Sequence, residues 1–217
     1  MVQCAFDGLV DARWTDDIHA EWIRNLAIGS PEISFSRLEA TRDRSKEVLP
    51  DADVGNHRIL IPDLSLPDPD DRHVLAAAIA GKASVIVTWN PKDFPAADLR
   101  PHGVTCVSPD NFLVGLHSTF SSALIDSIRR ARLNLRKTVP AVHEFIDALD
   151  HQGLRAFSVV LREKAAQLDG RSRPTESLEA RKQPVKLDPT KSGRGQSWRL
   201  DSRSRSPETG RRSACIG

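Results

Sequence analysis

The stretch Asp68–Pro95, DPDDRHVLAAAIAGKASVIVTWNPKDFP, constrains the fold more than any other part of the chain. Asp70 and Asp71 stand ahead of an apolar run from Val74 to Ala80, and Gly81 follows it. Carboxylates favour the positive amino end of a helix and glycine permits its exit, so this order predicts a helix with both ends marked. Ser84–Thr88, SVIVT, is a β-branched run without polar alternation, as expected of a parallel strand covered on both faces. Asn90 and Asp93 come next. In an open α/β sheet, chemistry gathers beyond the carboxyl ends of the strands. The pattern predicts one sheet edge carrying Asp70 and Asp71 from the helix front and Asn90 and Asp93 from the loop after the strand.

The flanking sequence supports the same architecture. Leu9–Trp14 (LVDARW) reads as a short strand, after which Thr15 caps a helix with Asp16 and Asp17 in its first turn. Ile18, Trp22 and Leu26 recur every four residues and predict a buried stripe, with Glu21 on its border and His19 and Arg24 facing solvent. Phe35–Leu49 makes a charge-rich helix ended by Pro50, and Arg58–Leu64 (RILIPDL) reads as a strand. Gly103–Val107 is a further strand, with Ser108 and Pro109 opening a helix. Alternating helices and strands predict an α/β fold, a parallel sheet flanked by helices, over residues 1–117. From Thr119 the pattern is helical alone, giving a small α-helical extension over 118–168. Its Arg129, Arg130, Arg132, Arg136 and Lys137 form a basic stripe, read as a solvated face.

Charge and composition set the tail apart. The formal net charge is +2, yet from Ala165 onward twelve Lys and Arg stand against six Asp and Glu, leaving the body mildly acidic. Residues 169–217 are dense in Arg, Ser, Pro and Gly with little apolar periodicity, and are expected to be a disordered basic tail. Cys4, Cys106 and Cys215 are too few and too scattered for a disulfide framework or a zinc site. No apolar run approaches the roughly 18 residues that cross a bilayer, and no secretory leader is visible, so a cytoplasmic setting without membrane contact is expected.

Aspartates around one strand end, joined by a glutamate from an earlier helix, would repel each other unless neutralised. A hard divalent cation removes that repulsion, and Mg²⁺ takes a few carboxylates with water completing its shell. Such an ion suits phosphodiester hydrolysis. The competing reading makes Asp70 and Asp71 helix-capping charges and Asn90–Asp93 an ordinary turn.

DDRHVLAAAIAGKASVIVTWNPKDFP followed by GVTCVSPDNFL resembles the PIN domain family, within it the bacterial proteins related to VapC toxins that carry a helical carboxy-terminal extension. HAEWIRNL around Glu21 resembles the segment bearing that family's helix-borne acid. The resemblance spans about Asp11 to Ala156. It implies a Mg²⁺-dependent endoribonuclease (Mn²⁺ as an alternative ion) cleaving single-stranded RNA, paired with a cognate antitoxin and forming a homodimer. Residue by residue it implies Asp71, Glu21, Asn90 and Asp93 around the metal, with Glu21, Asp71 and Asp93 catalytic and Thr88 and Asp70 supporting. The family begins with a buried strand carrying an essential aspartate, whereas MVQCAFDGLV does not read as strand, Asp and helix. Asp7 and Asp11 are the nearest substitutes, both expected at the surface. The sheet is therefore expected to be N-terminally truncated, lacking its first strand and one ligand, with impaired activity. Either the true start lies upstream or the chain is a remnant. The alternatives are an inactive PIN-like module that binds an antitoxin or RNA, and a fragment that does not fold alone.

Overall fold

The computed structural model describes residues 1–135, 139–169 and 213–216. The chain divides into two compact units, one built on Cys4–Ser108 with Arg212–Gly217 and the other on Pro109–Arg211. The division falls at Ser108, ahead of the 117/118 boundary read from the change to an all-helical pattern.

The first unit opens with a short helix, α1 (Val2–Phe6), and a strand, β1 (Asp11–Arg13). Thr15 then caps α2 (Asp16–Gly29), its Oγ1 accepting from the Ile18 amide at 3.2 Å. Charged α3 (Phe35–Val48) follows, and after it the apolar α4 (Arg72–Ala80) and the fully buried strand β2 (Val85–Val87). A single turn of helix, α5 (Ala96–Leu99), leads to β3 (Thr105–Val107). The sheet is wholly parallel in the order β1-β4-β2-β3, where β4 is Ser213–Ile216. Leu75, Ala76, Ala77, Ala78 and Ile86, all inaccessible, lie at the heart of its core with Trp14 and Ile18. The central position expected to be empty is thus filled by four residues of the tail; residues 170–212 and 217, which carry the rest of the disorder expectation, lie outside the described residues.

Gly81 ends α4 for a reason other than backbone freedom. Its φ is −81°, and the left-handed residue is the next one, Lys82, at 53°. A Cβ on Gly81 would lie 2.9 Å from Val54 Cγ2 and 3.0 Å from both Ala77 O and Arg13 Cγ, so glycine is needed for close approach.

Three local expectations are corrected. RILIPDL is not a strand: His57–Asp63 is a 3₁₀ helix containing Pro62, whose missing N–H suits it poorly to a ladder. The stripe on α2 is rotated from the four-residue repeat. Ile18 and Ile23 are buried, Trp22 is half-buried and Leu26 is exposed. His19 lies inside, only 4 % exposed, its Nδ1 accepting from Trp22 Nε1 at 2.9 Å. That bond keeps Nδ1 unprotonated, and burial holds the imidazole below its ordinary pKa.

The second unit is helical: α6 (Pro109–Leu133), α7 (Val142–His151), α8 (Arg155–Glu163) and α9 (Ala165–Leu168). A kink at Phe120 (φ −128°, ψ 47°) breaks α6 close to the junction read between two helices. Asp110 caps α8, accepting from the Ala156 and Phe157 amides at 3.0 and 2.8 Å. Arg132 is no part of a solvated stripe. It is buried and donates to the carbonyls of Pro140 (2.7 Å) and Leu168 (2.8 Å), tying the ends of three segments together. Arg136 and Lys137 lie outside the described residues. No described helix is long and apolar enough to cross a membrane.

Candidate metal centre

The loop ahead of α4 is shaped by Asp68, whose Oδ1 accepts from the Asp70 amide at 2.9 Å. Asp68 followed by Pro69 is a capping acid with proline at the first helical position, a start signal that points one turn earlier than Asp70 and Asp71. Asp70 is exposed, and its carbonyl accepts from His73 Nδ1 at 2.6 Å. Asp71 stands at the start of α4 but makes no side-chain capping bond. Its carboxylate is therefore not used to close the helix, which removes the ordinary reason for an acid at that position.

Asp71 is instead surrounded by charge of its own sign. Burial first, and then the neighbouring Asp68, Glu21 and Asp93, push its pKa up to about 6, with His73 opposing. Carboxylates from a helix, a pre-helix loop and a post-strand loop thus act on one group. Glu21, on α2, is met by His73 Nε2 at 3.1 Å. The approach lacks the alignment of a hydrogen bond, and Nε2 is buried with no other partner among the described residues. The imidazole holds Glu21 below the usual carboxylate range against its own burial. In turn, burial works against charging His73, but Glu21 and the Asp70 carbonyl outweigh it and raise its pKa.

The other half of the rim comes from the carboxyl end of β2. Thr88 N donates to Val107 O at 3.1 Å, and Thr88 Oγ1 accepts from the Asn90 amide at 3.2 Å. Pro91–Asp93 forms a single 3₁₀ turn in which the Asn90 side-chain amide donates to the Asp93 carboxylate. Trp89, between Thr88 and Asn90, is 57 % exposed. Asp11, by contrast, sits at the amino end of β1, which runs parallel to β2 across β4. It is on the opposite edge and pairs with Arg13 at 3.0 Å, so it replaces no ligand here.

His73 and Asp68 were not anticipated as members of this rim. Asp68 carried a readable signal, its proline. His73 carried none, because only the fold brings α2 beside it.

Oxygen donors of this kind fit a hard divalent cation, and the crowding at Asp71 is the repulsion such an ion relieves. As the side chains stand, no three His, Cys, Asp or Glu among the described residues are gathered closely enough to hold an ion together. Glu21 and Asp93 are occupied by His73 and Asn90, and they would have to turn away from these partners to do so.

Residues 2–92 match the family model described as PIN domain. This segment is a PIN domain. Residues 109–163 match the VapC50 C-terminal domain, which coincides with the start of the helical unit. Over 85 residues the chain is 39 % identical to the putative ribonuclease VapC50 of Mycobacterium tuberculosis (strain ATCC 25618 / H37Rv), covering 38 % of this chain and 48 % of that protein. The chain therefore matches about half the length of this curated relative. No solved structure matches the chain.

Proposed function

We propose that the PIN domain is a metal-dependent endoribonuclease of the VapC toxin type that cleaves single-stranded RNA with Mg²⁺, or Mn²⁺ in its place. The observation that carries this reading is the convergence on half-buried Asp71, which makes no helix-capping bond, of Glu21, Asp68 and Asp93 from three separate segments, and the upward push on its pKa follows from it. In this reading Asp71 is the first ligand, and Glu21, Asp93 and Asn90 complete the site directly or through water. The bound cation supplies charge stabilisation at phosphate and lowers the pKa of water. Glu21 is aimed by His73, so the pair orients the water that attacks. Thr88 fixes the Asn90 backbone and hence the turn that presents Asp93. Asp70 supports the site through its carbonyl on His73. Trp89, exposed and set between Thr88 and Asn90 in sequence, would give an unpaired base an indole on which to stack.

The test is cleavage of single-stranded RNA by the purified chain with Mg²⁺. Cleavage abolished by EDTA and lost in Glu21→Gln and Asp71→Asn supports the reading, and unchanged cleavage in both variants ends it.

A second reading, a PIN-like module that captures a cognate antitoxin without cleaving RNA, is favoured by the occupied state of Glu21 and Asp93. It predicts co-purification with the antitoxin and no metal-dependent cleavage. A homodimer is part of the first reading and is checked by light scattering.

A further inference from the structure

The middle of the sheet in the first unit is supplied from the far end of the chain. Strand β4 runs parallel to both neighbours. It pairs Ser213, Ala214 and Cys215 with Asp11, Ala12 and Arg13 on one side, and Ala214, Cys215 and Ile216 with Val85, Ile86 and Val87 on the other. In the strand order β1 and β2 are not neighbours. Along β1 the backbone of Trp14 bonds Ala52 and Val54, and along β2 that of Ser84 and Thr88 bonds β3. By the strand's alternation, Asp11 and Arg13 of β1 and Val85 and Val87 of β2 are the residues that turn to β4. Val85 and Val87 are buried, and α4 packs against β4. Without β4 the unit would hold two unpaired strand edges, that of β2 buried, a costly arrangement for backbone polar groups. β4 is four residues long and follows a segment rich in Arg, Ser and Pro.

We infer that the space between β1 and β2 is a strand-binding slot, that its ligand is a short extended peptide laid parallel to both strands, and that this chain's own Ser213–Ile216 occupies it in cis and binds it when offered in trans. The recognition is by main-chain hydrogen bonds on two sides, the mode by which extended peptides add to sheets. The slot is independent of RNA cleavage and needs no metal.

Hydrogen exchange on the full chain, read by mass spectrometry, tests occupancy. The Ala214–Ile216 amides are expected to exchange about a hundredfold or more slowly than in the free peptide RRSACIG. Ala214→Pro in the full chain removes a ladder donor from a central strand and should lower Tm by roughly 10 °C. Fluorescein-labelled RRSACIG should then bind that variant saturably and raise its Tm with concentration. Exchange at the free-peptide rate overturns the inference, as does a folded Ala214→Pro that binds no peptide. Slow exchange found only in a concentration-dependent dimer overturns occupancy in cis, since a second copy then supplies the strand. Should Ala214→Pro not fold, the exchange rates of the unaltered chain decide alone.

Discussion

Asp17 and Asp71 make an instructive pair. Each is a partly exposed aspartate at the front of a helix in the same unit, the first in the opening turn of α2 and the second at the start of α4. Asp17 accepts from Arg58 Nη2 at 2.6 Å and Nε at 2.9 Å and lies 2.7 Å from His57 Nε2. The Arg58 guanidinium first, and then His57, hold its pKa down to about 2 against burial. Asp71 has no cation of comparable strength and three carboxylates around it, and its pKa stands at about 6. One acid has its cation in Arg58; the other meets no comparable positive charge among the described residues. The first arrangement is structural and complete, fastening α2 to the 3₁₀ helix His57–Asp63. The second makes sense if something from outside completes it.

The widest separation between the two sites should appear in cleavage. Asp71→Asn and Glu21→Gln are each expected to lower kcat/KM on single-stranded RNA by about a thousandfold or more, since each removes charge that a metal-assisted step depends on. Asp17→Asn should leave the rate per folded molecule unchanged. A comparable loss in Asp17→Asn, measured at equal folded fraction by circular dichroism, would erase the distinction.

Stability should invert that order. Asp17→Asn leaves Arg58 and the nearly buried His57 without their carboxylate, and should lower the urea midpoint at pH 7. Because the folded pKa of about 2 lies below the unfolded value of 3.8, the stabilisation is present above pH 3.8. It is lost as pH falls toward 2, and parent and variant curves should converge there. Equal stability at pH 7 would mean that the Arg58 pair is an ordinary surface contact worth little.

How much of this could be read from the letters follows from how local each signal is. The α4 helix, strand β2 and the acids at their ends were readable because caps, apolar run and loop lie within thirty residues of each other. The repulsion expected between Glu21, Asp71 and Asp93 reappears in the structure at Asp71. Strand β4 was not readable: four residues are too few for a period of two to show, and composition around them argues for a tail. RILIPDL misled because β-branched residues favour a strand only where a sheet edge is open to them, and Pro62 lacks the donor. Arg132 misled because a cation on an amphipathic helix is usually solvated, whereas here two carbonyls at segment ends replace the water. His73 shows the same limit at the site itself, since its partner Glu21 is distant in sequence.

Trp89 sharpens the comparison on the substrate side: it is exposed and stands next to Asn90 in sequence, whereas Trp14, three residues before Asp17, is buried in the core. Trp89→Ala should raise KM for single-stranded RNA about tenfold with kcat little changed, as expected for loss of one stacked base, and Trp89→Phe should recover most of it. A fall in kcat with KM unchanged would place the indole in holding the turn, not the substrate.

The smallest effect is the most direct probe of the crowding at Asp71, and it needs no substrate. In EDTA the folded carboxyl has a pKa of about 6 against 3.8 when unfolded, so the folded state binds the proton more tightly. The stability it contributes is full below pH 3.8 and is lost as pH rises through about 6. Asparagine carries no charge to crowd, so Asp71→Asn should match the parent near pH 4 and become the more stable protein above pH 6. Asp71 is only half-buried, which screens the repulsion and limits the gain to about 2–3 °C in Tm. Adding Mg²⁺ or Mn²⁺ at pH 8 should reverse the order, because a cation that binds the folded parent stabilises it by mass action and finds one ligand fewer in the variant. A variant less stable than the parent at pH 8 in EDTA would show that the acids do not repel, and Asp71 would then differ from Asp17 in degree alone.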